Sequence, residues 1–550
     1  MSLNPDVAIL RRQLHGAIRR SALRDGRRLR LVSPDGLPNS WLIDLRPILT
    51  RANTLDALAE VFWHRFERDL PFQIGGMETA ATPLIAAILM KSVQKGYPIN
   101  GFIVRKERKT YGAGNIIEGS ITDDPIIVID DIISSGRSAD KIFSVLEDNS
   151  RRFRTLFAII DYQSPDGCDW RERRGVDVSS LFNLMDFGLK ISAVKRTPRA
   201  PIFETAWRFQ SPDANFHSLT PKSSPVTDET RVYFGSDIGN FYALDCATGE
   251  CCWKFKISTR QHKNIWSTPA LHKGRVYFGG YDGNVYCLDT ETGREIWRNT
   301  DAEWVGASPA IASDLNQLFI GLEFGVEGRR GAVAALDLDS GETLWSYATR
   351  RYTHGSPAYS SRRRVVACGS NDNELLLFDA RTGARLWRFE TRGDTAKGSI
   401  RQAPAFWEAG GHVVTGCADG RIYVVDIASG QEVWAHQTAN TINSAPLIVG
   451  DKAFIGSTDK SLYVLDLVGR TVHTRMDANA KIFSTPALIE GKVLFGATDG
   501  SVYRVDPDTI ALEGVARLPD AVTNRITHAP RHGLYYALTY TNQIFALRPT

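Results

Sequence analysis

The sequence predicts two folds in series: an α/β domain on a parallel sheet, then an all-β array of eight repeats. Three observations carry that prediction. Residues 126–138 read Ile-Ile-Val-Ile-Asp-Asp-Ile-Ile-Ser-Ser-Gly-Arg-Ser, an apolar β-branched run leading through two acids into a polar turn. From Ser224 onward a set of short strand patterns returns every 40 to 48 residues, anchored on Pro225, Pro269, Pro309, Pro357, Pro404, Pro446, Pro486 and Pro530. Between the two parts lie residues 195–201, short, basic and Pro-containing. At 550 residues the chain exceeds what one hydrophobic core supports.

The elements of the first part follow in order. Residues 1–30 are basic and helical, with Ile9, Leu10, Leu14 and Ile18 on one stripe and Arg11, Arg12, Arg19 and Arg20 off it. Such a helix docks on its own domain or lies on a membrane or RNA surface; docking is the expectation. Gly75-Gly76 precedes a helix over residues 83–93 and frees the backbone for a simple turn or for close approach to a phosphate. Arg105, Lys106, Arg108 and Lys109 place four cations within five positions on a Gly-flanked stretch. A charge run is by default a solvated face, but cations aimed at charge developing on a leaving group are strong catalytic aids, and a flexible stretch can close over it.

Residues 126–129 are a buried parallel strand, with Asp130 and Asp131 where it ends. In open α/β sheets ligands bind outside the carboxyl ends of the strands. Ser134, Ser135, Gly136, Arg137 and Ser138 open a helix over residues 139–146 and offer N–H groups and hydroxyls to a phosphate. Acid pair and turn together suit a sugar phosphate: carboxylates for ribose hydroxyls, the turn for the 5′-phosphate. The alternative is an ordinary strand–turn–helix with a capped start. Another strand covers residues 155–160.

This ordered string resembles the phosphoribosyl-diphosphate (PRPP) motif of type I phosphoribosyltransferases. Residues 101–119, with the core Arg105-Lys106-Glu107-Arg108-Lys109, look like the mobile catalytic loop of the orotate branch. Residues 75–87, beginning Gly75-Gly76-Met77-Glu78-Thr79, look like its pyrophosphate loop, and residues 41–46 like its hood strand. The resemblance spans residues 1–195. It implies PRPP contacts from Asp130, Asp131, Ser134, Ser135, Gly136, Arg137, Ser138, Gly75, Gly76, Glu78 and Thr79. It implies catalysis by Arg105, Lys106, Lys109 and Asp131, with Mg²⁺ carried mainly on PRPP near Asp130 and Asp131. A base or nucleotide would be the second ligand, and a homodimer would share the mobile loop.

Three departures qualify the resemblance. Tyr111 stands where the loop histidine is usual, and tyrosine titrates too high to shuttle protons at neutral pH. Asp161-Tyr162 replaces an Asp-Arg pair whose arginine helps hold orotate, and Ala80-Ala81 lies where a lysine is often found. The sugar-phosphate half of the site is expected intact and the base half rewritten.

The second part repeats one unit: a Pro-anchored strand, a strand ending in Gly, an acidic turn, a strand ending in Asp, then Thr-Gly and Trp. In one copy these are Pro269, Gly279, Asp282-Gly283, Asp289, Thr292-Gly293 and Trp297. Four short strands per 40-odd residues is the signature of a propeller blade, and eight repeats imply eight blades. The last repeat lacks an outer strand, and the orphan strand at residues 205–209 is expected to supply it, closing the ring. Trp253, Trp297, Trp345, Trp387 and Trp434 are wedges between blades. Blades six and seven lose that tryptophan, with His473 in its place in blade six, so packing there should be weaker. Residues 322–330 are an insertion in blade three, expected as a surface loop.

The repeat resembles the pyrroloquinoline-quinone propeller family, which holds both quinoprotein dehydrogenases and scaffold propellers. Adjacent Cys251-Cys252 resembles the disulfide that quinone-dependent alcohol dehydrogenases set against their cofactor, but it directly precedes Trp253 in an outer strand. Two strand cysteines are the reading adopted, no quinone is expected, and the propeller is read as a platform for a protein partner. The full expectation is a phosphoribosyltransferase-like α/β domain (1–195), a linker (196–204) and an eight-bladed propeller (205–550).

Apolar content of 43 % and charged content of 23 % are those of a globular protein. Residues 1–200 hold 30 Lys/Arg against 24 Asp/Glu, and the rest 36 against 38, so the basic excess lies in the first part. A net charge of +4 over the chain gives no reason to expect nucleic acid. No apolar run reaches transmembrane length, no signal-peptide core is seen, and seven scattered cysteines suit a reducing compartment, so the cytoplasm is expected. The chosen reading is transfer of phosphoribose from PRPP to a pyrimidine or related acceptor; the alternative is a non-catalytic PRPP or nucleotide sensor signalling through the propeller.

Overall fold

The apolar run at 126–129 lies in the middle of a six-stranded sheet in the computed structural model. The structure describes residues 5–25, 31–32, 38–39, 41–79, 81–105, 116–134, 136–189, 202–211, 223–258, 265–325, 330–393, 398–478 and 480–550. They fall into two compact units, the described residues up to 189 and those from 202 on. In the first unit the strands are β1 (Gln73–Met77), β2 (Gly101–Val104), β3 (Ile117–Glu118), β4 (Ile126–Ile133), β5 (Thr155–Asp161) and β6 (Asp177–Asn183). Their order is β6-β5-β4-β1-β2-β3, parallel except for β3.

Alternation along β4 explains why it reads as continuously apolar. Ile127 and Ile129 join one core, with Phe62, Trp63 and Phe157, while Ile126 and Val128 join another, with Ile142, Phe143 and Trp170. Both faces are therefore covered, as parallel sheets require. Helices α1 (Pro5–Ser21), α2 (Ala52–Phe66) and α3 (Thr82–Gln94) contribute to the first core; α4 (Arg137–Asp148) and α5 (Pro165–Arg174) contribute to the second. Helix α1 docks as expected through Leu14 and Ile18, 2 % and 0 % exposed, which removes the apolar stripe a membrane would need. Ile9 is the exception, left exposed while Val7 is buried.

Strand β4 does not end at the acid pair. It continues to Ile133, pairing with β5 as far as Ile133↔Asp161, while its pairing with β1 stops at Gly76↔Ile129. Asp130 and Asp131 thus sit just past the end of one neighbour and beside the other.

In the second unit eight four-stranded antiparallel sheets follow in sequence. The last pairs its three C-terminal strands with Phe203–Gln210, through Phe203↔Pro549 to Gln210↔Gln543, so the ring closes as expected but two residues earlier than residue 205. Inside the ring, side chains carry the closure from blade to blade. Thr268 Oγ1 accepts from Ser224 N (3.0 Å), Ser308 Oγ from Thr268 N (2.9 Å), and Ser224 Oγ from Arg525 N (3.1 Å).

The outer tryptophans behave as wedges. Trp207, Trp253, Trp297, Trp345 and Trp387 each donate Nε1–H to a backbone carbonyl of the next blade, at 2.7–3.1 Å. Each ring also occupies the space where a Cβ would stand on that blade's left-handed turn glycine, Gly249, Gly293, Gly341, Gly383 and Gly430. That contact explains the Thr-Gly of the repeat. Trp434 has no such bond among the described residues, because the next turn puts Arg470 (φ +53°) at the glycine position.

Three expectations need correction. Register shows Val424↔Trp434 in blade five and Val464↔Thr474 in blade six, so Thr474, not His473, replaces the tryptophan; His473 is the bulged residue. In blade seven the place falls to Gly514, and Ile202 fills the space a side chain would take there, so the loss is partly repaired. Pro530 does not anchor the last inner strand, which is Thr527–Ala529; it opens a 3₁₀ turn after it, and Ile526 precedes the strand. Of the blade-three insertion, Leu322–Phe324 and Arg330 belong to the paired strands Gln317–Phe324 and Arg330–Asp337, and residues 326–329 lie outside the described residues.

Candidate functional site

The carboxyl ends of β1, β2 and β4 are neighbours, roughly 5 Å apart per strand, and the sequence-predicted residues collect there. Glu78 follows β1, and its N–H donates to Val104 O at 2.9 Å. The Glu78–Thr79 peptide is cis. Arg105 directly follows β2, and its N–H donates to Ile116 O at 2.9 Å. Its Nη1 stands 3.4 Å from Glu78 and 3.5 Å from Glu118. Lys106, Arg108, Lys109, Tyr111, Ala80, Ser135 and the side chain of Arg137 lie outside the described residues.

Gly75 and Gly76 are inside β1 and buried, not in the loop. A Cβ on Gly75 would fall on the Phe102 ring, and one on Gly76 would meet Ile129 O at 2.5 Å and Ala81 at 2.9 Å. Their glycine identity answers to packing, and the turn after β1 begins at Glu78.

Asp130 is 7 % exposed and Asp131 half-buried. Each carboxylate accepts from the next N–H: Asp130 Oδ1 from Asp131 N (3.0 Å) and Asp131 Oδ1 from Ile132 N (2.9 Å). Past β4, Gly136 takes φ +76° and caps α4, a conformation that favours glycine. Helix α5 braces this turn. A Gly136 Cβ would lie 2.7 Å from Trp170 Cγ, and a Gly167 Cβ would run into Ser134 O. Trp170 Nε1 donates to Asp140 Oδ1 (3.0 Å), which also accepts from Arg174 Nε (2.9 Å). Ser134 and Ser138 are exposed at the mouth of the turn. A turn of this form, at the positive end of a twelve-residue helix, can bind a phosphate.

On the other side of Asp131 lies a group that sequence reading only half anticipated. The Tyr162 N–H donates to Ile133 O (2.8 Å), and burial, with a lesser push from the Asp131 charge, raises its hydroxyl well above the usual range. The Tyr162 ring meets Trp41 edge-on at 5.6 Å. Asp44 grips Arg46 through two bonds, 2.7 and 2.9 Å, and holds the guanidinium charged, with a smaller contribution from Asp131. Asp161 is ion-paired to Arg171 at 2.9 Å. The bracing residues Trp170, Gly167 and Asp140 were not legible; a glycine three residues before a tryptophan was their only trace.

Among the described residues no cluster of three or more metal-ligating side chains occurs, and no helix is long and apolar enough to cross a membrane. Cys251 and Cys252 are exposed, unbridged, and in the outer strand of blade one.

Comparison with known proteins agrees with the division into two units. Residues 203–320 and 282–511 match the sequence family described as outer membrane protein assembly factor BamB. An orotate phosphoribosyltransferase from Rhodopirellula baltica is 31 % identical over 122 residues, 22 % of this chain and 63 % of that protein, so the match spans less than two thirds of its length. One from Bradyrhizobium sp. (strain ORS 278) is 32 % identical over 131 residues, 23 % of this chain and 71 % of its own. A quinohemoprotein alcohol dehydrogenase from Pseudomonas putida HK5 superposes with a TM-score of 0.52 at 14 % identity, covering 64 % of this chain and 76 % of that one, a likeness of fold alone.

Proposed function

We propose, from the premise that the chain belongs to the orotate phosphoribosyltransferase family through its first unit and to the BamB-type repeat family through its propeller, that it transfers phosphoribose from PRPP to a pyrimidine or related acceptor. The observation that carries this reading is the meeting of Glu78, Arg105 and the Asp130–Asp131 pair at adjacent strand ends, beside the braced turn of residues 134–138.

The turn takes the 5′-phosphate and the two aspartates take the ribose hydroxyls. Asp130 and Asp131 offer hard oxygen donors that would hold an Mg²⁺ ion arriving with PRPP; bound there, the ion would neutralise charge on the leaving group. As the C1–O bond to pyrophosphate breaks and the bond from C1 to the acceptor nitrogen forms, positive charge grows on the ribose and negative charge on pyrophosphate. Arg105, with Lys106 and Lys109, steadies the latter, and Asp131, whose charge also acts on Arg46 and Tyr162, faces the former. Glu78 holds Arg105 in place between turnovers.

The acceptor side is the less family-like half. Tyr162 stays a neutral hydroxyl, so it can donate a hydrogen bond but cannot supply the charge of the usual arginine, and Arg46 is the nearby cation. That observation also favours the second reading, a PRPP sensor without turnover. The propeller serves as the platform for a protein partner, with residues 1–195 as the transferase domain, 196–204 as linker and 205–550 as propeller. The cytoplasm is the proposed location, and a homodimer sharing the loop the proposed assembly. Pyrophosphate release from PRPP and Mg²⁺ on adding orotate, uracil or related bases tests the reading. Release with none of them, alongside clear PRPP binding, would leave the sensor.

A further inference from the structure

In a ring of eight repeats the positions that build the fold recur, so those that do not recur mark where the ring does something else. Two such positions lie on the face where each outer strand crosses to the next blade, the same face as each blade's second-to-third-strand turn. The first lies two residues after the second-strand glycine: Asp237, Tyr281, Glu323 and Asn371 in blades one to four, but Ala418, Thr458 and Thr498 in blades five to seven. The second lies just ahead of the inner strand. It reads Trp266, Gly306, His354 and Arg401 entering blades two to five, then Asn443, Phe483 and Thr523. In blade eight the first position holds Tyr540, which packs with Phe483; the acids and cations gather in blades one to five, with Trp266 and Tyr281 beside them.

That sector is one contact network. Trp266 Nε1 donates to Asp237 Oδ1 at 3.1 Å, and its ring meets Tyr281 at 5.3 Å. Gly306 omits a side chain where Tyr281 and Glu323 converge: a Cβ there would stand 2.5 Å from Tyr281 Oη and 3.1 Å from Glu323 Oε1. His354 Nδ1 lies 2.9 Å from the same Oε1. Tyr352 follows at 5.5 Å from His354, and Trp304 at 5.9 Å from Tyr352. The lengthened strands of blade three bring Trp304 in, with its backbone bridged to Glu323 and its ring over Gly325.

Burial divides this network into floor and rim. Asp237, Tyr281 and Glu323 are 2 %, 6 % and 1 % exposed, whereas Trp266, Trp304, Tyr352 and His354 are half-buried. Burial and the Glu323 charge hold the Tyr281 hydroxyl neutral. Glu323 Oε1 is sealed from solvent and makes no in-line hydrogen bond among the described residues; His354 is near in distance but off the line. A carboxylate oxygen so placed is costly unless a cation answers it; His354 does so only when protonated, and the ring faces around it also favour a cation. Arg401, at the edge and bonded to Ser399 Oγ at 3.2 Å, would confine such a cation to the Glu323 side.

We infer that the crossover face of blades two to four is a binding site for a guanidinium or ammonium group, carried by a small amine or by an Arg or Lys side chain of a protein partner. Only the second source rests on reading the propeller as a platform.

The test is calorimetry on the full chain with two probes, agmatine and a five-residue glycine peptide with one central arginine. One site per chain is expected, weakened about tenfold or more in Glu323→Gln. Agmatine and peptide binding alike support a general cation site; peptide binding alone supports a partner side chain. No heat from either probe, equal affinity in Glu323→Gln, or stronger binding of benzoate than of agmatine overturns the inference. Should Glu323→Gln fail to fold, Trp304→Ala on the half-exposed rim gives the same comparison, with about a fivefold loss expected. Base-dependent pyrophosphate release is indifferent to all these results, so failure here leaves the transferase reading standing.

Discussion

Replacing Gly136 with alanine tests whether the phosphate turn is held from behind. At φ +76° a Cβ costs about 1–2 kcal/mol of backbone strain. It would also lie 2.7 Å from Trp170 Cγ and 2.8 Å from Cδ2. Trp170 is 3 % exposed and tied to Asp140, so it has little room to yield, and overpacking adds roughly 1–3 kcal/mol. The whole, about 2–5 kcal/mol, is relieved if the turn shifts outward by a few tenths of an ångström. Its N–H groups then leave the phosphate, and one charge-assisted hydrogen bond lost costs about 1.5–3 kcal/mol. Calorimetry of Gly136→Ala with PRPP and Mg²⁺ should therefore show affinity falling about 10- to 100-fold, with faster amide exchange at the start of α4. Adding Trp170→Ala removes the wall but not the strain, so the two substitutions should couple by about 1–3 kcal/mol. Wild-type PRPP affinity in Gly136→Ala, or additive effects in the double variant, would refute the reasoning.

Further outcomes are expected. Asp130→Asn with Asp131→Asn should abolish PRPP turnover with little change in melting temperature, and wild-type-like turnover would sink their proposed role. Arg105→Ala should lower kcat at least 100-fold, about 2.7 kcal/mol, while PRPP affinity changes less than tenfold; a purely affinity-based effect would count against leaving-group stabilisation. In the propeller, Trp253→Ala should cost about 3 kcal/mol by denaturant unfolding and Trp434→Ala clearly less, because only Trp253 has its carbonyl and glycine seat. Asp289, Asp379 and Asp426 are held below the ordinary carboxylate range, first by the hydroxyls of Thr292, Thr382 and Ser429 and then by backbone N–H groups. Depressed folded values mean stability present above the unfolded pKa near 3.9 and lost as pH falls through the folded values. The melting temperature of Asp289→Asn should thus fall below wild type at pH 7, with the gap closing below about pH 4.

Patterns set by one local rule were legible in the sequence. The strand at 126–129 was readable because both its faces are apolar, and the blades because Gly, Asp and Trp must recur where turn and wedge meet. What was not legible depends on register or on distant partners. One glycine serves a loop or a packed strand with the same letter, so Gly75-Gly76 was assigned to the loop although Phe102 and Ala81 require it. A bulge and a rearranged turn hid the alignment of Thr474 with the tryptophans. Arg105 meets Glu78 only because β1 and β2 are paired, and Trp170 reaches Gly136 only because α5 folds back under the turn. Neither contact leaves a mark on local sequence.

The strand at Phe203–Gln210 has a consequence in time. It is made before the ring it completes, and its partner Gln543–Pro549 is synthesised some 340 residues later. At 5–20 residues per second that is about 17–70 s on the ribosome. Through that interval the transferase-like unit is already made while the first propeller strand waits with both edges bare. Glu204 and Arg208 are among its exposed charges, the kind of residues that keep a waiting edge from pairing with the wrong chain. The ring is therefore locked last by its first strand, and cleavage anywhere in residues 202–211 would open a propeller whose seven other blades are intact.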